Sequence, residues 1–188
     1  MKLLQEAIEQ RGTIINDDIL KVDSFLNQQI DCRLMKAIGQ EFAAHFHNQN
    51  VTKIVTIESS GIAPAVFAGD CMDVPVIFMK KSEPSTMLDP VYTEAFSFTK
   101  NRKYTLCMER QFLSKNDRVL FIDDFLANGQ AFLSAEDLIQ QCGAHVVGVG
   151  IVIEKSFQKG RALIEEKGYD IYSLARIQAM KDNKILWK

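Results

Sequence analysis

Five short apolar runs rich in β-branched residues, Lys53–Ile57, Pro75–Lys81, Val119–Asp124, His145–Ile153 and Ile171–Ile177, are spaced along the chain and separated for the most part by stretches of helical periodicity. Ile62–Met72 is Ala-rich, Gln130–Gln141 places Phe132, Ala135, Leu138 and Ile139 on one face before Gly143, and Phe157–Lys167 ends at Gly168. Strands that alternate with helices need crossover connections, and these predict an α/β chain with a mainly parallel sheet flanked by helices on both faces. In such sheets ligands collect at the carboxyl ends of the strands.

Two segments stand outside this rhythm. Residues 82–117, opened by Pro84 and Pro90, carry aromatic and β-forming residues over Val91–Phe98 and Tyr104–Met108, which predicts an exposed hairpin or mobile flap. Before the first sheet strand, Leu3, Leu4, Ala7 and Ile8 share the face of a short helix that Gly12 ends, and Asp31 is placed to cap a helix with Leu34, Ile38, Phe42 and Phe46 on its apolar side. No composition shift divides the 188 residues, so residues 1–188 are read as one domain.

Charge and cysteine content exclude several classes. The chain holds 22 Lys and Arg against 24 Asp and Glu, a net charge of −2, so no global positive field draws it to nucleic acid or to an anionic membrane. No apolar run reaches the roughly 20 residues of a membrane span. Cys32, Cys71, Cys107 and Cys142 are too dispersed for a C-x-x-C ligand pair, and reduced thiols in a cytoplasmic protein are expected. Gly148-Val149-Gly150 leads into more strand rather than a helix, which argues against a dinucleotide fingerprint, and His45 and His47 point to different faces of their helix.

The most informative segment is VLFIDDFLANGQA, Val119–Ala131. An apolar strand ends on Asp123 and Asp124, then a small-residue loop, Ala127-Asn128-Gly129-Gln130-Ala131, enters a helix. A bare acid pair is often a solvated strand end with a helix cap. Here a glycine lets the backbone approach a ligand, and the free N–H groups of a helix N-terminus favour phosphate. Two carboxylates for vicinal hydroxyls beside a cradle for one phosphate describe a ribose 5-phosphate site.

That run resembles the phosphoribosyl-pyrophosphate motif of the type I purine phosphoribosyltransferases. The adenine-type members place Thr-Gly after the loop Ala and a hydroxyl residue at its end; Asn128 and Ala131 depart from this, so backbone N–H groups or Asn128 must serve instead. Ala127 stands where hypoxanthine-guanine members carry an acid. Further blocks, LKVDSFLNQQID from Leu20, TIESSGIAPA from Thr56, GIVIEKSFQKGR from Gly150 and SLARIQ from Ser173, resemble the bacterial xanthine-using branch of that family.

The resemblance implies transfer of the 5-phosphoribosyl group from phosphoribosyl pyrophosphate to xanthine in a homodimeric enzyme. It assigns the ribose to Asp123 and Asp124, the pyrophosphate to the turn Ser59-Ser60-Gly61, and the purine to Leu20, Asn27 and Lys155. Lys80 and Lys81 could neutralise pyrophosphate or be solvated surface. Phe157 could stack on the purine or be core. Mg²⁺ is expected to arrive with the phosphoribosyl pyrophosphate, without direct protein ligands. The flap, with Ser97-Phe98-Thr99-Lys100 near its tip, resembles a hood that closes over substrate. Two alternatives accompany this reading: a regulator that senses the sugar phosphate without turnover, for which a DNA-binding element has no room, and an enzyme preferring hypoxanthine or guanine.

Overall fold

The computed structural model describes residues 1–97 and 102–188; Phe98, Thr99 and Lys100 of the expected flap tip lie outside the described residues. The chain opens with α1 (Lys2–Arg11), a hairpin of β1 (Thr13–Ile15) and β2 (Ile19–Lys21), a π-helical turn at Asp23–Asn27, and α2 (Cys32–Phe46). β3 (Lys53–Ile57), α3 (Ile62–Met72) and β4 (Val76–Met79) follow. After the flap strands β5 (Pro90–Ser97) and β6 (Arg102–Glu109) come β7 (Arg118–Leu126), α4 (Gln130–Gln141), β8 (His145–Lys155), α5 (Gly160–Glu166), β9 (Ile171–Lys181) and β10 (Lys184–Trp187).

Six of the strands form one sheet in the order β10-β9-β8-β7-β3-β4, parallel except where β10 folds back on β9. α1, α2 and α3 cover one face through Leu4, Ile38, Phe42 and Ala65. α4, α5 and the flap cover the other through Phe132, Leu138, Ile164 and Leu106. The expected α/β architecture is therefore present.

Local chemistry explains the element ends. Asp31 Oδ1 accepts from Leu34 N at 3.1 Å and so caps α2, while Asp31 Oδ2 accepts from Arg11 Nη1 at 2.7 Å and joins α1 to it. The glycines of Gly148-Val149-Gly150 serve packing: a Cβ at Gly148 would lie 2.5 Å from the Phe46 ring and one at Gly150 2.9 Å from that of Phe42. Both α2 phenylalanines thus sit on bare backbone of β8.

The structure corrects several expected boundaries. β7 does not stop at the acids but continues to Leu126, because β8 extends alongside it and pairs Phe125 with Ile153 and Leu126 with Glu154. β8 runs on to Lys155 and β9 to Lys181, each sustained by its neighbour. α5 starts only at Gly160, so Phe157 lies in the preceding turn and is 44% exposed rather than core. Leu3 is exposed while Leu4 and Ile8 are buried.

The flap is an antiparallel hairpin, and its root is fastened. Lys80 N donates to Cys107 O at 2.8 Å and Cys107 N to Lys80 O at 2.9 Å, which joins β6 to the end of β4. Gln141 Nε2 donates to Tyr92 O at 3.0 Å and Arg110 Nη1 to Gln141 O at 2.8 Å, which ties the hairpin to the last turn of α4.

α2 and α3 meet at Gly39, where an added Cβ would fall 2.5 Å from the backbone carbonyl of Phe67. Backbone cannot yield as a side-chain end can. Gly39→Ala is expected to destabilise the fold by about 1–3 kcal/mol in urea titration, since overpacking forces the helices apart.

Candidate active site

β3 hands the chain through α3 to β4, on one side, whereas β7 hands it through α4 to β8, on the other. Neighbouring strands whose connections diverge leave a crevice at their carboxyl ends. β3 and β7 are that pair, and their backbone pairing ends at Val55 and Phe121 while β7 continues beside β8. Asp123 and Asp124 lie just beyond that end, held on one side by β8 and open on the other to the turn after β3.

That turn is pressed close to the acids. A Cβ on Gly61 would lie 3.0 Å from Asp123 Oδ1 and 2.2 Å from Thr56 Oγ1, so no residue with a side chain fits there. The Thr56 side chain is fully buried and its hydroxyl has no hydrogen-bond partner among the described residues. Lys81 N donates to Glu58 Oε1 at 2.6 Å, fastening the turn to the end of β4.

The two carboxyls are electrostatically unfavourable as they stand. Burial and then the neighbouring Asp124 charge push Asp123 well above the usual carboxylate range, and burial raises Asp124. Asp124 N donates to Asp123 Oδ1 at 2.9 Å and Phe125 N to Asp124 Oδ1 at 2.9 Å, and the Lys81 ammonium pulls both downward. A pair kept in this condition suits a ligand that brings hydroxyl donors or positive charge.

Beyond the acids, Ala127–Ala131 forms the loop into α4. Gly129 adopts φ +85°, a left-handed conformation that glycine tolerates without cost. Asn128 Oδ1 accepts from Gln130 N at 3.1 Å, which braces the loop and leaves the side-chain NH₂ as an anion donor. A cavity of about 90 Å³ lies between the loop and Asp123, walled largely by the apolar side chains of Phe121, Phe125, Leu126, Phe132 and Ile151. The first N–H groups of α4 are further donors that the loop end offers to an anion.

The paired lysines part company. Lys81 lies near enough to the acids to act on their charge, whereas Lys80 Nζ sits 5.0 Å from the Phe78 ring centroid, on the side of the edge strand. Lys155, at the end of β8, donates through Nζ to Asp18 O at 2.6 Å and so latches the β1–β2 turn to the carboxyl end of that strand. Leu20 follows two residues on, its side chain buried in the core, so its main chain is what it can present to a ligand. Asn27 closes the π-helical turn and is exposed; no described contact links it to Lys155.

Sequence reasoning passed over Glu154, which is 1% exposed. Its carboxylate accepts from Arg161 Nε at 2.9 Å and Nη2 at 2.7 Å, Ser173 Oγ at 2.6 Å, Ser156 Oγ at 2.5 Å and Arg176 Nε at 3.1 Å. Burial works against its ionisation, but the Arg161 guanidinium with the two serine hydroxyls overrides this and holds the carboxyl at about 2. The available signal was an acid inside the apolar run GIVIE, with Arg161 close behind it.

Comparison with known proteins agrees with this geometry. Residues 22–187 match the model of the phosphoribosyl transferase domain. A xanthine phosphoribosyltransferase of Listeria monocytogenes is 51% identical over 188 residues, covering 100% of this chain and 98% of that protein. One of Streptococcus pyogenes is 54% identical over 186 residues, covering 98% and 96%. The crystal structure of a Trypanosoma brucei adenine phosphoribosyl transferase, in complex with AMP, pyrophosphate and ribose-5-phosphate, superposes with a TM-score of 0.79 over 95% of this chain and 81% of that one, at 19% identity.

A carboxyl whose folded pKa lies above its unfolded value weakens the fold when ionised. Its penalty fades as pH falls through the folded pKa, because the native state then takes up a proton the unfolded state does not. Asp123→Asn is therefore expected to raise the thermal midpoint at pH 7 by about 2–4 °C, the shift that about 1 kcal/mol gives in a chain of this size. Scanning calorimetry should show that gain shrinking as the pH is lowered toward the ordinary carboxylate range.

Proposed function

The chain belongs to the phosphoribosyl transferase domain family, and from that premise we propose that it transfers the 5-phosphoribosyl group of phosphoribosyl pyrophosphate to xanthine, giving xanthosine 5′-monophosphate and pyrophosphate. The observation that carries the reading is the strained acid pair at the β3–β7 crevice, set between a close-approach glycine turn on one side and a helix N-terminal loop on the other. The likeness to the two xanthine phosphoribosyltransferases over nearly the full chain supports the choice of base.

In this reading Ala127 to Ala131 hold the 5-phosphate through backbone N–H groups and Asn128, and Asp123 and Asp124 accept from the ribose hydroxyls. Ser59, Ser60 and Gly61 receive the pyrophosphate, with Lys81 as the nearby positive charge. A purine ring nitrogen, its proton released to solvent, forms a bond to the anomeric carbon as the bond to pyrophosphate breaks, through a transition state with positive charge on the sugar. Catalysis rests on alignment of two substrates and on charge stabilisation at the leaving group. Lys155 presents an ammonium to the carbonyl-rich edge of xanthine, and Asn27 a donor and an acceptor.

The acid pair, both members raised by burial and Asp123 further by the Asp124 charge, fits a cation brought in with the substrate, and Mg²⁺ holds its waters tightly enough to remain on the pyrophosphate. When bound, that ion neutralises charge on the departing group. The β5–β6 hairpin serves as the hood that shields the activated sugar from water. Four free thiols suit work in a reducing cytoplasm. A homodimer is supported by the apolar surface beside the edge strand β4, where Phe78 and Phe112 line one depression and are 40% and 52% exposed.

Steady-state assays with phosphoribosyl pyrophosphate, Mg²⁺ and each of xanthine, guanine, hypoxanthine and adenine are expected to show the highest kcat/KM for xanthine; no pyrophosphate release with any of them would refute the reading. Lys155→Ala should lower kcat/KM for xanthine by about 10–100-fold, the worth of one charge-assisted hydrogen bond, with little change in KM for phosphoribosyl pyrophosphate. Sedimentation velocity is expected to give a dimer, and Phe78→Glu should shift it toward monomer.

A further inference from the structure

Glu154 sits one residue before Lys155 on β8, so its side chain leaves the strand on the opposite face, where its carboxylate meets five protein donors. A carboxylate has about four lone-pair positions, so a group this fully engaged has one geometry available to it. Two of its partners lead directly to the two halves of the proposed site.

The first is Ser156, which begins the turn after Lys155. Ser156 N donates to Ile177 O at 2.8 Å and Gln158 N to Lys155 O at 2.9 Å, so the serine hydroxyl on Glu154 completes the anchoring of the turn that carries the base-facing lysine. The second is Arg161, in the first turn of α5. The residue before it, Gly160, donates its N–H to Ala127 O at 3.0 Å. A Cβ on Gly160 would stand 2.5 Å from that same oxygen and 3.0 Å from Gly129 N. The start of α5 is therefore seated on the loop that holds the sugar phosphate.

Resting on the reading of Lys155 as the base ligand and of residues 127–131 as the phosphate cradle, we propose that Glu154 is a positioning residue that fixes the separation between the purine subsite and the 5-phosphate subsite. The reaction joins two separate molecules. The sugar is located by its phosphate and the purine by Lys155, so the approach of ring nitrogen to anomeric carbon is only as accurate as the spacing of the two loops. A misplacement of about 1 Å can cost about 100-fold in rate. One buried carboxylate that holds the lysine turn through Ser156 and, through Arg161, the start of α5 seated on the phosphate loop supplies a common reference, and its depressed pKa keeps it charged throughout the neutral range.

Five variants test this against a purely structural ion pair. Ser156→Ala cuts the branch to the lysine turn, and is expected to raise KM for xanthine by about tenfold while KM for phosphoribosyl pyrophosphate stays within about twofold. Gly160→Ala crowds the Ala127 carbonyl and should do the reverse. Glu154→Gln should raise both, and Arg161→Lys, which keeps the charge but not the forked geometry, should recover only part of the loss seen with Arg161→Ala. Unchanged KM values with kcat falling in step with the folded fraction would overturn the proposal. If the wild-type protein uses no purine, the functional reading fails, and amide hydrogen exchange still decides the structural claim. Glu154→Gln should speed exchange in both 126–131 and 155–160, whereas a uniform change across the chain, or none in these segments, would refute it.

Discussion

β7 keeps one neighbour after it has lost the other, and the site depends on that offset. Because β8 stays paired with it as far as Leu126 while β3 has already turned away after Ile57, Asp123 and Asp124 are carried on regular strand backbone with one flank uncovered. Acids on a loop could turn outward to water. Acids on a central strand are held by its backbone pairing, and here Asp123 stays buried and Asp124 half-buried, with the Asp124 charge bearing on Asp123. The glycine turn and the α4 loop then close on the open flank from either side.

The molecule buries carboxylates in two opposite ways. Glu154 is given five donors and is driven toward a low pKa, so it contributes rigidity. Asp123 and Asp124 receive chiefly backbone donors and are pushed upward, which reserves their remaining acceptor capacity for a ligand. Similar burial of Glu154 and Asp123 has contrary outcomes because the partners differ.

Much of this was legible in the residues. The bounds of α3, α4 and β3 follow directly from apolar periodicity and from Gly61, Gly129 and Gly143, since glycine punctuation and helical spacing are local properties. The overrun of β7, β8 and β9 was not, because a strand's length is set by its neighbours and not by its own composition. The hairpins at Asn16-Asp17 and Asp182-Asn183, all four residues at positive φ, were signalled by their Asn and Asp doublets but lay outside the strand–helix rhythm that guided the reading. The acid pair and its loop were readable as a contiguous motif. The Glu154 cluster draws on residues 154, 156, 161, 173 and 176 from three elements, and no local pattern brings them together.

The bridge between Lys80 and Cys107 joins the root of the β5–β6 hairpin to the end of β4 by main chain alone. One residue on, the Lys81 N–H grips Glu58 in the turn after β3, so the hairpin, the edge strand and the glycine turn share one backbone junction. Leu106, fully buried beside that junction, pins it to the core. A change that loosens the junction would therefore disturb the glycine turn and the hairpin root together.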